Sequence, residues 1–260
     1  LAVMTDNSDD KNFPPGKRQY TLDFAYHGGI YRDVWMIGKS SVAITDALEA
    51  DKVAGGGVFV HFDNISGKKT EVHNSGKRTR TVAVETVLAD AGDVPVKRVS
   101  QQVKLQAGES KTVRQRFAVR NPKLWSPDSP YLYRIQSRVK AGHEVLDGGV
   151  TRVGIRKAEF KGKDGFWLNG KPFGQLVGAN RHQDFAYVGN ALPNSQQWRD
   201  AKRLRDAGCT IIRVAHYPQD PAFMDACDEM GLFVIVATPG WQYWNKNPEF
   251  AKLVHRNTRE

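Results

Sequence analysis

Apolar positions change their rhythm near residue 156. Before that point they alternate or gather in short runs rich in β-branched and aromatic residues: Val58–Phe62 and residues 79–88, 99–105, 111–119 and 131–139. Such runs predict strands. Turn signals separate them, at Asn64-Ile65-Ser66-Gly67, Asn74-Ser75-Gly76, Asp90-Ala91-Gly92 and Ala107-Gly108. Short strands punctuated in this way predict an antiparallel sandwich over residues 39–154. Residues 1–38 hold two more strand-like runs, 20–24 and 31–37, joined through His27-Gly28-Gly29. So short a segment cannot bury a core of its own. It is expected to be the end of a β-sandwich that begins earlier in a longer or processed protein.

Beyond residue 156 the pattern predicts a hairpin, Phe166-Trp167-Leu168-Asn169-Gly170-Lys171-Pro172-Phe173, turning at Asn169-Gly170. A short strand is expected at 175–178. A helix capped by Ser195 follows, with Trp198, Ala201, Leu204 and Ala207 recurring every three residues and Gly208 just past its end. Residues 210–215 read as a buried strand. Asp220 caps a second helix with Phe223, Met224, Cys227 and Met230 on one face, closed by Gly231. Residues 232–237 read as a third strand, and a last helix starts near Pro248. This β-α-β-α-β order predicts parallel strands with helical crossovers. Two architectures accommodate it: the opening units of an eight-stranded barrel, which needs about 250 residues of its own, or a smaller open α/β domain.

Composition narrows the picture modestly. Hydrophobic residues make up 40% of the 260 and charged residues 25%, the balance of a globular chain. The longest apolar runs fall far short of the roughly 20 residues a membrane helix needs, so no membrane partner is expected. The segment 1–5 is strand-like rather than a leader, and a periplasmic or extracellular setting is favoured. Cys209 and Cys227 read as small buried hydrophobes, without metal-type spacing. The net charge of +10 is spread over Lys68-Lys69, Lys77-Arg78, Arg114, Arg116 and 199–205. It fits a generally basic solvated surface or an anionic polysaccharide partner. A nucleic-acid binder rests on this charge alone, and no nucleic acid is expected.

Ligands of parallel α/β folds bind beyond the carboxyl ends of the strands. Asn180-Arg181-His182-Gln183-Asp184 is expected after the first such strand. His216-Tyr217-Pro218 follows the second, with Arg213 inside it, and Trp241, Tyr243 and Trp244 follow the third. Amide, imidazole, guanidinium and aromatic groups thereby share one rim, and sugars need that mixture. Each group also has a plainer reading: His216 as a core histidine bonded to backbone, Asp184 as a loop cap, the aromatic trio as a packing plug. No pair of carboxylates stands out as catalytic. His182 and His216 lack a third metal ligand, so neither metal nor cofactor is expected. Asn64-Ile65-Ser66 is formally a glycosylation acceptor, better explained by chance occurrence.

At these residues the sequence resembles glycoside hydrolase family 2, the β-galactosidase, β-glucuronidase and β-mannosidase group. Gly28-Gly29-Ile30-Tyr31-Arg32-Asp33-Val34-Trp35 is similar to the end of the family's sugar-binding domain. Leu124-Trp125-Ser126-Pro127-Asp128-Ser129-Pro130-Tyr131-Leu132-Tyr133 resembles its immunoglobulin-like domain. Gly154-Ile155-Arg156 with 166–172 resembles the entry to its barrel. Gly178-Ala179-Asn180-Arg181-His182, Arg213-Val214-Ala215-His216-Tyr217-Pro218 and 228–233 resemble the first barrel units. The resemblance implies a multidomain chain: residues 1–38 ending a sugar-binding sandwich, 39–154 an immunoglobulin-like sandwich, 155–260 the start of a TIM (β/α)8 barrel. It implies a retaining β-glycosidase acting on an oligosaccharide or polysaccharide, with a homo-oligomer possible. Asn180, His182, Arg213 and His216 would line the substrate subsite, and Trp241 would join them. The family's acid/base glutamate stands in an Asn-Glu pair, which this sequence lacks, so the chain alone is expected to bind without cleaving. The third strand reads Val236-Ala237-Thr238-Pro239-Gly240-Trp241 where β-galactosidases carry an Asp-Glu-Ala-Asn-type run. That departure implies a different or longer glycan, an anionic one given the charge. The alternative is a non-catalytic carbohydrate-binding or scaffold module.

Overall fold

The structure, a computed structural model, describes residues 2–25, 27–53, 55–62, 66–238 and 243–259. They fall into two compact units: Met36–Gly174, and a second formed by Leu1–Trp35 together with Gln175–Glu260.

The first unit is built from β1 (Val42–Ile44), β2 (Val58–Phe62), β3 (Ser66–Asn74), β4 (Arg80–Ala89), β5 (Pro95–Leu105), β6 (Ser110–Phe117), β7 (Tyr133–Ala141) and β8 (Glu144–Val153), with a short helix α1 (Ala47–Ala50) after β1. In one sheet β3 pairs with β6 along one edge and with β1 and β2 along the other; the second sheet runs β5-β4-β7-β8. All pairings in both sheets are antiparallel. Strands of opposite sheets share a core: Val42, Ile44, Val72 and Val113 meet Val82, Val84, Leu105 and Val139. β6 shows why the register is unique. Val113, Gln115 and Phe117 are buried while Thr112, Arg114 and Arg116 are exposed, so a one-residue slip would bury charge. Gln115 is buried but satisfied, accepting from Thr86 Oγ1 at 2.6 Å and donating to Val84 O at 2.8 Å.

Trp125 anchors the end of this unit. It is 1% exposed, its N–H donates to Ile155 O at 2.8 Å, its carbonyl accepts from Asn169 Nδ2 at 3.0 Å, and Arg156 lies 4.9 Å from its ring centre. Gly154 passes so close that a Cβ there would lie 2.8 Å from the indole. A small sheet follows: β9 (Ala158–Phe160), β10 (Phe166–Leu168) and β11 (Lys171–Pro172). Asn169 and Gly170 both take positive φ, 53° and 80°, as the expected two-residue turn requires.

The second unit carries β12 (Gly178–Arg181), α2 (Asn194–Asp206), β13 (Ile211–Val214), α3 (Pro221–Met230), β14 (Phe233–Val236) and α4 (Pro248–Arg259). The three strands are parallel in the order β12-β13-β14. Ile212 and Val214 bury one face of the sheet with Ala201, Phe223, Ala226, Cys227 and Leu232. Asp220 caps α3 by accepting from Ala222 N–H at 2.8 Å, and Gly231 ends it at φ 75°.

Three expectations are corrected. The first parallel strand is not 175–178 but Gly178–Arg181, which places Asn180 and Arg181 within the strand. Pairing with β13 selects it, since Gly178 lies against Ile211, whose carbonyl oxygen would be 1.6 Å from a Cβ there. The N-cap of α2 is Pro193, so Ser195 lies inside the first turn. The runs 20–24 and 31–37 form no strand among the described residues, where only a 3-10 turn, Gln19–Thr21, is found. Instead this segment fastens side chain to backbone: Arg32 Nη2 donates to Pro218 O at 2.5 Å and Asn245 Nδ2 to Lys11 O at 2.6 Å. Asn194 Nδ2 also donates to Asp33 Oδ2 at 2.9 Å.

Candidate functional site

Side-chain alternation sorts the strand residues by face. Asn180, Arg213 and Ile235 form one row across the three strands, on the face opposite the helices. Arg181 points the other way and is 6% exposed. A buried guanidinium needs partners for its donors, and here both terminal nitrogens find them, while Nε has none among the described residues. Nη1 donates to Gln219 Oε1 at 2.6 Å, and Nη2 to Gln197 Oε1 and Asp200 Oδ2 at 2.7 Å each. The Arg181 guanidinium carbon lies 4.0 Å from the Phe223 ring centre. Gln219 Nε2 donates back to Arg181 O and, at 3.4 Å, to Ala215 O. Gln183 Oε1 accepts from Asp220 N–H at 3.0 Å. The ends of β12 and β13 are thus tied together directly beneath His182 and His216.

The two imidazoles meet edge to face, their centres 5.1 Å apart. Phe24, from the N-terminal segment, packs 5.4 Å from His216, 6.4 Å from His182 and 5.6 Å from Tyr217. Arg213 Nη1 lies 3.0 Å from His216 Nδ1. A guanidinium only donates, so neutral His216 accepts at Nδ1 and carries its proton on Nε2. That nitrogen lies 3.9 Å from Asp23 Oδ2. Burial, then the Arg213 charge and that of His182, hold His216 below the ordinary imidazole range against the opposing pull of Asp23. Burial and the Asp184 charge push the Tyr217 hydroxyl up.

Of these groups Phe24, His216 and Tyr217 border a cavity of about 370 Å³. Its wall comes from Phe24, His27, Tyr31 and Arg32 of the N-terminal segment, from Asn190, and from His216, Tyr217 and Pro218. Among the described residues Asn190 Oδ1 is buried and has no hydrogen-bond partner. Flat aromatic and imidazole faces beside carboxylate, amide and guanidinium groups suit a polyhydroxylated ring, which offers C–H faces and hydroxyls together.

Of the residues singled out from sequence, the structure brings His182, Arg213 and His216 together. Asn180 shares the row of Arg213. Trp241 lies outside the described residues, as does Asn64. Tyr243 and Trp244 turn elsewhere, packing on Phe250 of α4 with ring centres 5.8 and 6.5 Å away. Asp23, Phe24 and Asn190 were missed, while Tyr217 lies in the rim segment expected after the second strand. The available signal for the first two was a segment too short to bury its own aromatic residues, which obliged them to pack on another element. Cys209 and Cys227 are both free, and burial pushes the Cys227 thiol up to about 12, as an inert core cysteine requires.

The chain is similar to known proteins in sequence and fold. Residues 64–156 match the family described as glycosyl hydrolases family 2, and residues 159–259 match its TIM barrel domain. A β-galactosidase of Thermoanaerobacter pseudethanolicus is 34% identical over 246 residues, 94% of this chain and 31% of that protein. A putative β-glucuronidase of Formosa agariphila is 32% identical over 271 residues, 99% of this chain and 30% of its own length. The solved structure of Bacteroides uniformis β-glucuronidase 2, covalently bound to cyclophellitol-6-carboxylate aziridine, superposes with a TM-score of 0.85 at 27% identity, covering 97% of this chain and 30% of that one. The chain spans about a third of the length of the curated relatives it matches. With its immunoglobulin-like domain followed by TIM-barrel units, this chain belongs to glycoside hydrolase family 2.

Proposed function

We propose that this chain supplies the accessory sandwich and the sugar-binding rim of a retaining β-glycosidase, one that hydrolyses O-glycosidic bonds of an oligosaccharide or polysaccharide with β-galactosidase-like or β-glucuronidase-like preference. One observation carries the reading: His182, Arg213 and His216 converge from two parallel strand ends onto Asp23 and Phe24 at the edge of a cavity. The β-galactosidase and β-glucuronidase relatives support it. We assign Asn180, His182, Arg213, His216 and Trp241 to substrate binding, with residues 1–38 as the end of a sugar-binding sandwich, 39–154 as the immunoglobulin-like domain and 155–260 as part of the catalytic barrel.

The role assigned to these groups is to bind and orient. The His216 Nε2–H and the Asp23 carboxylate offer a donor and an acceptor to neighbouring hydroxyls, while Phe24 excludes water from one side. Retaining cleavage needs two carboxyl groups about 5–5.5 Å apart. None of the groups assigned here is given that role, and the sequence has no Asn-Glu pair. The alternative is a carbohydrate-binding module without catalysis.

The test uses the whole protein that carries this chain, with β-galactosides and β-glucuronides as substrates. His216→Ala is expected to lower kcat/KM about a hundredfold, the scale of a misplaced reacting bond. Saturable binding without turnover by the whole protein would establish the module reading instead. The 260-residue chain alone is expected to show no hydrolysis of aryl β-glycosides, and turnover above background would refute the role given to it.

A further inference from the structure

The turn after β12 holds an aromatic ring in a place that folding does not explain. Phe185 N–H donates to Gly189 O at 3.0 Å and Gly189 N–H to Phe185 O at 2.9 Å, closing a five-residue hairpin. Ala191 N–H donates to Val188 O at 3.1 Å and fixes its base. At the tip, Tyr187 is fully exposed, at 106%, and its backbone sits at φ 72°. That left-handed region costs a bulky residue free energy and suits glycine. Stability alone would place glycine or a small polar residue here. Phe185 and Val188 are exposed beside it, so the tip is apolar as well as strained.

The hairpin is joined to the candidate sugar site. With Ala25, His27 and Asp184 it lines an open recess, and Ala25 and His27 also line the cavity bordered by His216. Gly189, at φ 54°, presses its backbone on the His27 imidazole, where an added Cβ would stand 2.8 Å from the ring. Asp184 acts electrostatically on Tyr217, which lines the cavity. Ala25 and His27 are therefore shared walls between two adjoining spaces, and Asp184 lines the recess alone.

Resting on the glycosidase reading, we propose that this hairpin is a second sugar subsite, continuous with the cavity. An oligosaccharide whose terminal sugar fills the cavity places its next ring against Tyr187, with Asp184 and His27 meeting that ring's hydroxyls. The outward aromatic supplies a flat face for sugar C–H groups, and the strained backbone holds it at the angle the ring requires.

The experiment compares two kinds of substrate in the whole protein that carries this chain. One is the β-galactosyl or β-glucuronosyl fluoride, whose leaving group is a single atom. The other is a trisaccharide ending in the same sugar. Tyr187→Ala should lower the ratio of kcat/KM for trisaccharide over fluoride about tenfold, the effect of losing an aromatic anchor. Tyr187→Trp should restore it to within about twofold of the parent, since the stacking face is kept. An unchanged ratio in Tyr187→Ala overturns the subsite, and so does an equal fall in Tyr187→Trp. Tyr187→Gly separates strain from binding. It should raise the thermal midpoint by relieving φ, yet show the same loss of ratio. A protein that turns over neither fluoride refutes the glycosidase reading but still tests the hairpin. Trisaccharide binding tighter than that of the methyl glycoside, lost in Tyr187→Gly, then upholds the subsite, and equal affinities refute it.

Discussion

The sandwich unit, Met36–Gly174, holds 24 Lys and Arg against 14 Asp and Glu; the unit formed by Leu1–Trp35 and Gln175–Glu260 holds 14 of each. The whole net charge of +10 therefore belongs to the unit without the candidate sugar site. The cations are also used differently. On β6, Arg114 and Arg116 project into solvent. In the second unit Arg181 is buried and bonded on both terminal nitrogens, Arg213 meets His216, and Arg32 donates to Pro218 O. Under the proposed function, long-range attraction to a polyanion would belong to the sandwich, and recognition of one sugar ring to fixed, short-range geometry at the strand ends.

The sharpest way to break the comparison is to remove one anchor from each region. Arg181→Met leaves Asp200, Gln197 and Gln219 without their cation and should cost about 3–5 kcal/mol in a denaturant titration, the scale of breaking a buried pair. Arg181→Lys should rescue little of it, because one ammonium cannot replace a fork spanning three acceptors. Trp125→Ala should cost a similar ~3–5 kcal/mol, here as lost apolar packing. If Arg181→Met proves neutral, the strand-end network does not hold the site.

A smaller effect concerns protons. The folded His216 titrates below its unfolded value, so the unfolded chain takes up the proton first. The contribution of His216 is complete above about pH 6.5, and it is lost as the pH falls from there through the folded pKa. Arg213→Met removes a charge that lowers that pKa, so it should rise toward 6.5, with burial still holding it down. Proton NMR of the imidazole reads this directly, and a fall would contradict the Arg213 contact. Smallest of all, Arg114→Glu with Arg116→Glu should shorten salt-dependent retention on a sulfated polysaccharide column while leaving methyl glycoside affinity unchanged.

Much of this was legible in the sequence. The alternation of Val113, Gln115 and Phe117 gave a strand, Asp220 and Gly231 bounded α3, and Asn169-Gly170 gave a hairpin. β3 and β8 were not legible, because Ser66–Asn74 is largely polar and Glu144–Val153 carries Asp147, Gly148 and Gly149; pairing with neighbours makes them strands. β12 was misplaced by three residues since Gly178–Arg181 is less apolar than the run before it and is selected by its register on β13. His182, Arg213 and His216 could be found because parallel strands fix where their ends lie. For Asp23 and Phe24 the shortness of their segment says only that it packs on another element; the side-chain contacts that bring it to the site are encoded in no local pattern.

The central claim is that the strand ends and the N-terminal segment together form the sugar site, separate from the charged sandwich. Calorimetric binding of methyl β-galactoside and methyl β-glucuronide to the parent protein, Phe24→Ala, His216→Ala and Arg114→Glu tests it most directly. The expected result is an affinity loss of about tenfold or more for Phe24→Ala and for His216→Ala, the scale of losing a buried anchor, and none for Arg114→Glu. Binding that survives both site variants and is lost with Arg114→Glu would contradict it.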